Sequence, residues 1–447
     1  MNKQEYACFK RCLEYFQIDP DFRTKLYTSP RDAIASLAFP IPLNYILISE
    51  AIQAIIYGRN GTALPENNPY LTEYIHYYTS VHSHIQHRYS SQQFRSESIY
   101  QYTNITLNRS GIEQQLIRDI TNIRYIPMCF ELSQGCTVQC PFCGFSAERY
   151  QNSFPYTSEN RTLWRNMLQD CKDFLGNILN TCICYFATEP MDNPDYEAFL
   201  LDMRDIAGAV PQTTTALADR YPQRLKSLMA ELGEVTLMQQ CPIRFSIRSL
   251  PQFHKIMSLY TPEELIYVEL LPNNPESISH YASSGKVMEN PSYSSKELKY
   301  SLCCVSGIKV NMVEKSISFI EPVSPDSDYP LGYRRLETQL FTHRTDFISS
   351  VRNMFEQYAH ATLPLEHPLV LNKRIQVKPY DGKLYFIGDN ISYCMSMDYT
   401  MKMTLSYIEQ GYSAAKCIQK LGLFGSLADN LYMKLHQLYV RGYLCLR

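Results

Sequence analysis

Gly135-Cys136-Thr137-Val138-Gln139-Cys140-Pro141-Phe142-Cys143-Gly144 places three cysteines within eight positions. The intervals of three and two residues differ from the doubled C-x2-C of a zinc ribbon. Three thiolates on one short loop suit three corners of an iron–sulfur cube, with one iron left for a small-molecule chelate. A three-cysteine zinc site completed by a distant His or Cys uses the same residues, and spacing alone leaves it open. Gly135 and Gly144 flank the loop and relieve backbone crowding.

The rest of the chain frames that loop. At 447 residues it is long enough for two to four domains, and its net charge of −2 lacks the basicity usual in a nucleic-acid binder. The start, MNKQEYACFKRC, has no apolar signal core. The apolar run Ala33–Ile56 is broken by Pro40, Pro42, Asn44 and Glu50. A soluble, cytoplasmic protein is expected, with neither membrane nor nucleic acid as partner. Fifteen cysteines, an odd number in a long chain, point to reduced thiols and metal ligation rather than a disulfide framework.

Residues 5–38 read as helical, with Phe9, Leu13 and Phe16 on one face and restarts at Asp19-Pro20 and Ser29-Pro30. Residues 58–71 read as a loop, followed by helical, tyrosine-rich sequence to about 120. From 123 to 330 strands alternate with helices, at Ile123–Phe130, Ile183–Ala187, Thr213–Leu217, Arg244–Ile247 and Tyr267–Leu271. Such alternation predicts β-α units around a parallel sheet. Gly307–Val313 and Ile317–Ile320 read as strands joined by a tight turn at Glu314-Lys315. A third style begins near 370, with a hairpin turn at Asp381-Gly382, three helical segments and a last strand after Gly442. A small winged-helix module fits that order.

Cys136-x3-Cys140-x-Phe142-Cys143 resembles the signature of the radical S-adenosylmethionine superfamily, including the aromatic residue Phe142 before the last cysteine. Ala187-Thr188-Glu189-Pro190 resembles the family's Gly-Gly-Glu-Pro segment, whose backbone and carboxylate hold the cofactor's amino group; Ala187 and Thr188 replace its glycines. Ser246 and Arg248 occupy a strand position that often contacts ribose or carboxylate in that family. The resemblance implies one 4Fe-4S cluster on Cys136, Cys140 and Cys143, and S-adenosyl-L-methionine held by Phe142, Ala187, Thr188, Glu189, Ser246 and Arg248. It implies hydrogen-atom abstraction by a 5′-deoxyadenosyl radical. The fold expected is α/β, a partial (β/α)6-type radical SAM barrel over 121–345. An N-terminal helical region, 1–120, and a C-terminal winged-helix module, 346–447, flank it.

Three further segments resemble maturases of ribosomally synthesised peptides. Residues 9–37 are similar to a nitrile-hydratase-like helical segment shared with precursor leaders. Cys304-x2-Gly307-x3-Asn311 with Pro325-x4-Pro330-Leu331-Gly332-Tyr333 resembles the end of the catalytic domain in peptide-epimerising members. Ile408–Ile418 and Leu435-x2-Leu438-x2-Arg441-Gly442 resemble the peptide-recognition element typified by the small pyrroloquinoline quinone biosynthesis protein. There a leader adds a strand to a small sheet. The other twelve cysteines contain no C-x2-C, so an auxiliary cluster is not expected.

The function implied is L-to-D epimerisation at Cα of a precursor peptide. Cys304, or next to it Cys303, would return hydrogen from the opposite face, while Cys182, Cys184 and Cys394 read as structural. Val323 stands where many relatives carry a cysteine, which keeps two alternatives open: tyramine excision leaving a β-amino acid, and side-chain cross-linking. A non-catalytic leader-binding protein is the alternative of another class. The partners implied are a precursor with a helical leader, an external electron donor and a small accessory protein.

Overall fold

The computed structural model describes residues 1–57, 67–114, 125–278, 284–289, 301–388 and 391–447. Most of the loop expected at 58–71, the strand start at 123–124 and the helical stretch 115–120 lie outside the described residues.

Local chemistry sets the first helices. Helix α1 (Lys3–Ile18) opens on a capping box: Asn2 Oδ1 accepts from the Glu5 amide and Glu5 Oε2 from the Asn2 amide. Its apolar stripe is inside, with Phe9 and Phe16 fully buried and Leu13 nearly so. Each such burial is worth about 1.5–3 kcal/mol. Asp19 caps α2 (Pro20–Thr28), and Pro20 sits in its first turn; Pro30 opens α3 (Pro30–Ala35) in the same way. Helices α4 (Tyr45–Tyr57), α5 (Pro69–His87) and α6 (Glu97–Gln114) complete the region.

The middle region begins with β1 (Ile126–Glu131), then β2 (Ser133–Gln134), β3 (Asn152–Ser153), α7 (Ser158–Leu175) and α8 (Tyr196–Ala207). Next come β4 (Thr213–Thr215), α9 (Pro222–Leu232), α10 (Glu234–Gln240), β5 (Ile243–Ile247), α11 (Leu250–Leu259), β6 (Glu269–Pro272) and the short α12 (Lys286–Glu289). Strands β7 (Val305–Asn311), β8 (Ser316–Pro322) and β9 (Tyr333–Leu340) lead into α13 (Arg344–Tyr358). β4, β5 and β6 form one parallel sheet. β1 pairs in parallel with β7, which continues antiparallel through β8 to β9. The β7–β8 turn falls at Glu314-Lys315, where Lys315 takes a φ of 53°.

The architecture is mixed α/β, and no closed barrel is present among the described residues. Ile183–Ala187, expected as the second strand, makes a single bridge from Ile183 to Cys129. Side chains replace the ladder beyond it: the Ala187 amide donates to Glu131 Oε1, and the Tyr185 hydroxyl meets Thr214 Oγ1 at 2.8 Å. The outer strand β6 is covered rather than paired. Lys10 on α1 donates to the Leu265 and Val268 carbonyls, and Asn274 Nδ2 donates to the Ile18 carbonyl at its other end. No helix among the described residues is long and apolar enough to cross a membrane.

The tail has its own core. β10 (Leu369–Leu371) pairs with the last strand; β11 (Gln376–Tyr380), β12 (Lys383–Ile387) and β13 (Ser392–Ser396) form an antiparallel meander whose first turn is Asp381-Gly382. α14 (Tyr399–Glu409), α15 (Ala414–Lys420), α16 (Ser426–Val440) and β14 (Leu444–Leu446) follow. α13 spans the boundary expected at 345/346 and packs on α7 and β8, while the tail core runs from Leu363. α6 ties the two cores together, giving Ile99 and Tyr102 to the first and Ile105 and Ile112 to the second.

Candidate functional site

Parallel strands deliver their carboxyl ends to one side of the sheet, where loops are free to carry chemistry. The cysteine loop leaves the end of β1. Its base is a close backbone crossing: the Cys136 amide donates to the Glu148 carbonyl at 2.9 Å, and a Cβ on Gly135 would lie 2.2 Å from the Arg149 carbonyl oxygen. With φ at +76°, Gly135 is required there. Gln139, at a φ of 49°, turns inward, and its Nε2 donates to the carbonyls of Cys136, Ala147 and Glu148. Asp192 grips Thr137 through both its amide and its hydroxyl, at 2.8 and 2.6 Å, which fastens the loop to the Glu189 segment. On the other side Gly285 lies against Cys143 and Gly144, and the Lys286 amide donates to the Cys143 carbonyl.

Cys136, Cys140 and Cys143 are all partly exposed, whereas most other cysteines are buried. Amides point at two of the sulfurs. Those of Val138 and Gln139 pull the Cys136 thiol back against the rise that burial causes, and that of Ala147 donates to Cys143 Sγ at 3.5 Å. Burial pushes the Cys140 thiol up to about 12; Arg248 pulls it back, while Cys143, Cys136 and Glu189 push further. These groups therefore lie within electrostatic reach of one another. No three His, Cys, Asp or Glu side chains among the described residues converge as a single metal ion requires. Ligands to three different irons of a cube need no such convergence. Soft thiolates with amides aimed at sulfur fit that donor set.

Glu189 is 4% exposed and has no cationic partner within hydrogen-bonding distance among the described residues. Its Oε1 accepts from the Met191 amide and Thr215 hydroxyl, and its Oε2 from the Ala216 amide. Burial lifts its pKa to about 7 against those three bonds. An ionised carboxylate offers about four acceptor positions, so one on Oε2 remains. The Ala187 amide is already held by Glu131, whose other oxygen pairs with Lys309 at 2.9 Å. Thr188 and Phe142 are partly exposed.

On β5, Arg244 and Ser246 alternate with the buried Ile243, Phe245 and Ile247 and so share one face, and Arg248 follows directly after the strand. Ser246 Oγ accepts from Asn273 Nδ2, and the Arg248 amide donates to Gln252 Oε1. Arg248 Nη2 stands 3.9 Å from Asp219.

Cys303 and Cys304 precede β7, and the Cys304 carbonyl accepts from Ile126, the first residue of β1. They sit at the opposite end of β1 from Glu131, roughly 16 Å away at ~3.3 Å per residue. The cysteine loop narrows that gap, since Gly144 packs on Leu302, where a Cβ would meet Cδ1 at 2.2 Å. Cys303 is fully buried, with its thiol 3.3 Å from the Val305 carbonyl. Cys304 is partly exposed, and burial lifts its thiol to about 11 with Arg244 pulling back. Cys182 and Cys184 are buried and Cys394 is exposed.

Sequence reasoning missed Gln139, Asp192, Lys286 and Arg244. Arg244 was within reach, being two residues from Ser246 on an alternating strand. Gln139 and Lys286 act through contacts that no local pattern announces.

No protein-family model matches the chain. An uncharacterized protein, y4wI of Sinorhizobium fredii, is 34% identical over 241 residues, which cover 52% of this chain and 46% of that protein. The chain thus spans about half the length of this curated relative. BtrN, solved in complex with AdoMet and 2-DOIA, aligns with 33% of this chain and 56% of its own at 13% identity and a TM-score of 0.25, too loosely to support an argument about fold.

Proposed function

We propose that this chain is a radical S-adenosylmethionine enzyme that takes a hydrogen atom from a ribosomally synthesised precursor peptide, with Cα epimerisation as the outcome. The observation that carries the reading is a loop of three partly exposed thiols that Asp192 fastens, at Thr137, to the segment holding the buried Glu189. A four-iron cluster and S-adenosylmethionine held by these residues would supply a carbon-centred radical.

The chain's own residues would then have distinct tasks. Cys136, Cys140 and Cys143 would ligate three irons, and the amides of Val138, Gln139 and Ala147 would stabilise the ligating sulfurs. The open position on Glu189 Oε2 would accept from the cofactor's ammonium, while Arg248 would face its carboxylate. Hydrogen return requires S–H rather than thiolate, and burial keeps Cys304 protonated at neutral pH. Its thiol would give hydrogen to the opposite face of the Cα centre, and the thiyl left behind would return to the thiol by taking an electron from an external donor and a proton from solvent. The antiparallel meander β11–β13 would take a leader strand at an edge, since unpaired strand edges accept main-chain hydrogen bonds.

Incubation with precursor in deuterium oxide tests the outcome. Epimerisation adds one deuterium per modified residue with no other mass change. Loss of a tyramine unit or of two hydrogens would replace it with excision or cross-linking. Cys304→Ala should stop product formation and leave cofactor cleavage intact.

A further inference from the structure

The chain entering α12 is wedged between the cysteine loop and the β8–β9 connection. The Gly285 amide donates to the Pro330 carbonyl and the Lys286 amide to the Cys143 carbonyl, at 2.8 and 2.9 Å. A Cβ on Gly285, whose φ is +57°, would lie 2.5 Å from the Cys143 oxygen, so only glycine lets the two backbones approach this closely. That contact fixes where the Lys286 side chain starts. From there its Nζ crosses to the other interval of the loop and donates to Gln139 Oε1 at 3.3 Å.

The Gln139 amide has one orientation that its neighbours accept. Its Nε2 faces the carbonyl oxygens of Cys136, Ala147 and Glu148, which accept and cannot donate. Its Oε1 faces an ammonium, which donates and cannot accept. Turned over, the amide would set oxygen against three oxygens and nitrogen against nitrogen. Lys286 thus locks the side chain that gathers the entry of the loop, at Cys136, to its exit, at Ala147 and Glu148. Lys286 is half-buried, and no carboxylate pairs with its ammonium among the described residues.

We infer that Lys286 is a positioning residue, which holds the cysteine loop in shape through Gln139 before metal binds and sets a cation beside the bound cluster. That the loop receives a cluster rests on the proposed function; the clamp rests on the hydrogen bonds. One-electron reduction adds negative charge to a cluster, so a neighbouring cation favours the reduced form.

Hydrogen exchange on the metal-free full chain tests the clamp. In Lys286→Met the amides of residues 136–148 should exchange at least fivefold faster than in the parent, with the tail meander β11–β13 unchanged. Lys286→Arg should stay within twofold of the parent, and Lys286→Met should add nothing in a Gln139→Leu background. Should Lys286→Met fail to fold, Lys286→Ala, which introduces no bulk, takes its place. Redox titration of the reconstituted protein, followed by visible absorption, tests the charge. At the parent's midpoint potential the ratio of reduced to oxidised cluster should fall at least threefold in Lys286→Met and recover in Lys286→Arg. Unchanged exchange, acceleration spread equally over the tail, or a full effect in the Gln139→Leu background would overturn the inference, as would an unchanged redox ratio. If the parent takes up no cluster, the proposed function falls, and the exchange comparison alone upholds or overturns the clamp.

Discussion

Glu189 and Glu321 are each 4% exposed, yet their surroundings make opposite demands. Glu189 is held by neutral donors, two amides and one hydroxyl, and its pKa rises to about 7, with burial the main cause. For Glu321 burial again pushes upward, but Arg109 and Arg334 outweigh it and hold the carboxyl below its ordinary range. The same loss of water thus yields a carboxylate short of positive charge in one place and a cluster rich in it in the other. The first keeps an acceptor position open on Oε2, whereas the second has its carboxylate shared between two guanidiniums. What a buried charge recognises follows from its partners more than from its depth.

Removing each carboxylate should separate the two regions most sharply. Glu321→Ala leaves two buried guanidiniums without an anion and should cost about 3–5 kcal/mol. Glu189→Ala leaves only neutral donors unpaired and should cost about 1–3 kcal/mol. Urea unfolding of both variants measures this, and equal losses would break the comparison.

A pH series sharpens it. The Glu189 carboxyl holds its proton more tightly folded than unfolded, so ionisation costs stability as pH climbs from ~4.3 towards about 7. The stability of Glu189→Gln relative to the parent should therefore rise between pH 5 and 7 and level off above. Glu321 is depressed, so its contribution is present above its unfolded pKa and fades as pH falls through the lower folded value. The parent's advantage over Glu321→Gln should accordingly shrink only below about pH 4. Urea midpoints across pH 3–8 read both trends.

Among smaller effects, Asp192→Asn weakens the grip on Thr137 in an exposed setting and should cost about 1 kcal/mol or less. Its clearer readout is faster loss of iron from the reconstituted protein. Unchanged iron retention would show that Gln139 alone organises the loop.

Local chemistry was legible in the sequence. The spacing of Phe9, Leu13 and Phe16 marked α1, Asp19-Pro20 and Ser29-Pro30 marked α2 and α3, Asp381-Gly382 marked the tail hairpin, and the cysteine spacing marked the loop. The failures were long-range. Ile183–Ala187 has a strand's composition, but Glu131 and Thr214 supply hydrogen bonds in place of a neighbouring strand. β9 was missed, because its polar run Tyr333–Leu340 has half-exposed positions throughout and little alternation to read. Arg109 and Glu321 are separated by 212 positions, so nothing local links them. Within the candidate site the three cysteines and Glu189 were visible as a pattern, whereas Gln139, Asp192 and Lys286 became visible only once the loop was folded.

The most direct test of the central claim is anaerobic reconstitution with iron and sulfide, followed by metal analysis, visible absorption and S-adenosylmethionine cleavage under reduction. The account predicts four irons per chain, a broad visible absorption, and release of methionine and 5′-deoxyadenosine, all lost in Cys140→Ala. One zinc per chain with no iron uptake, or iron uptake that survives Cys140→Ala, would contradict it.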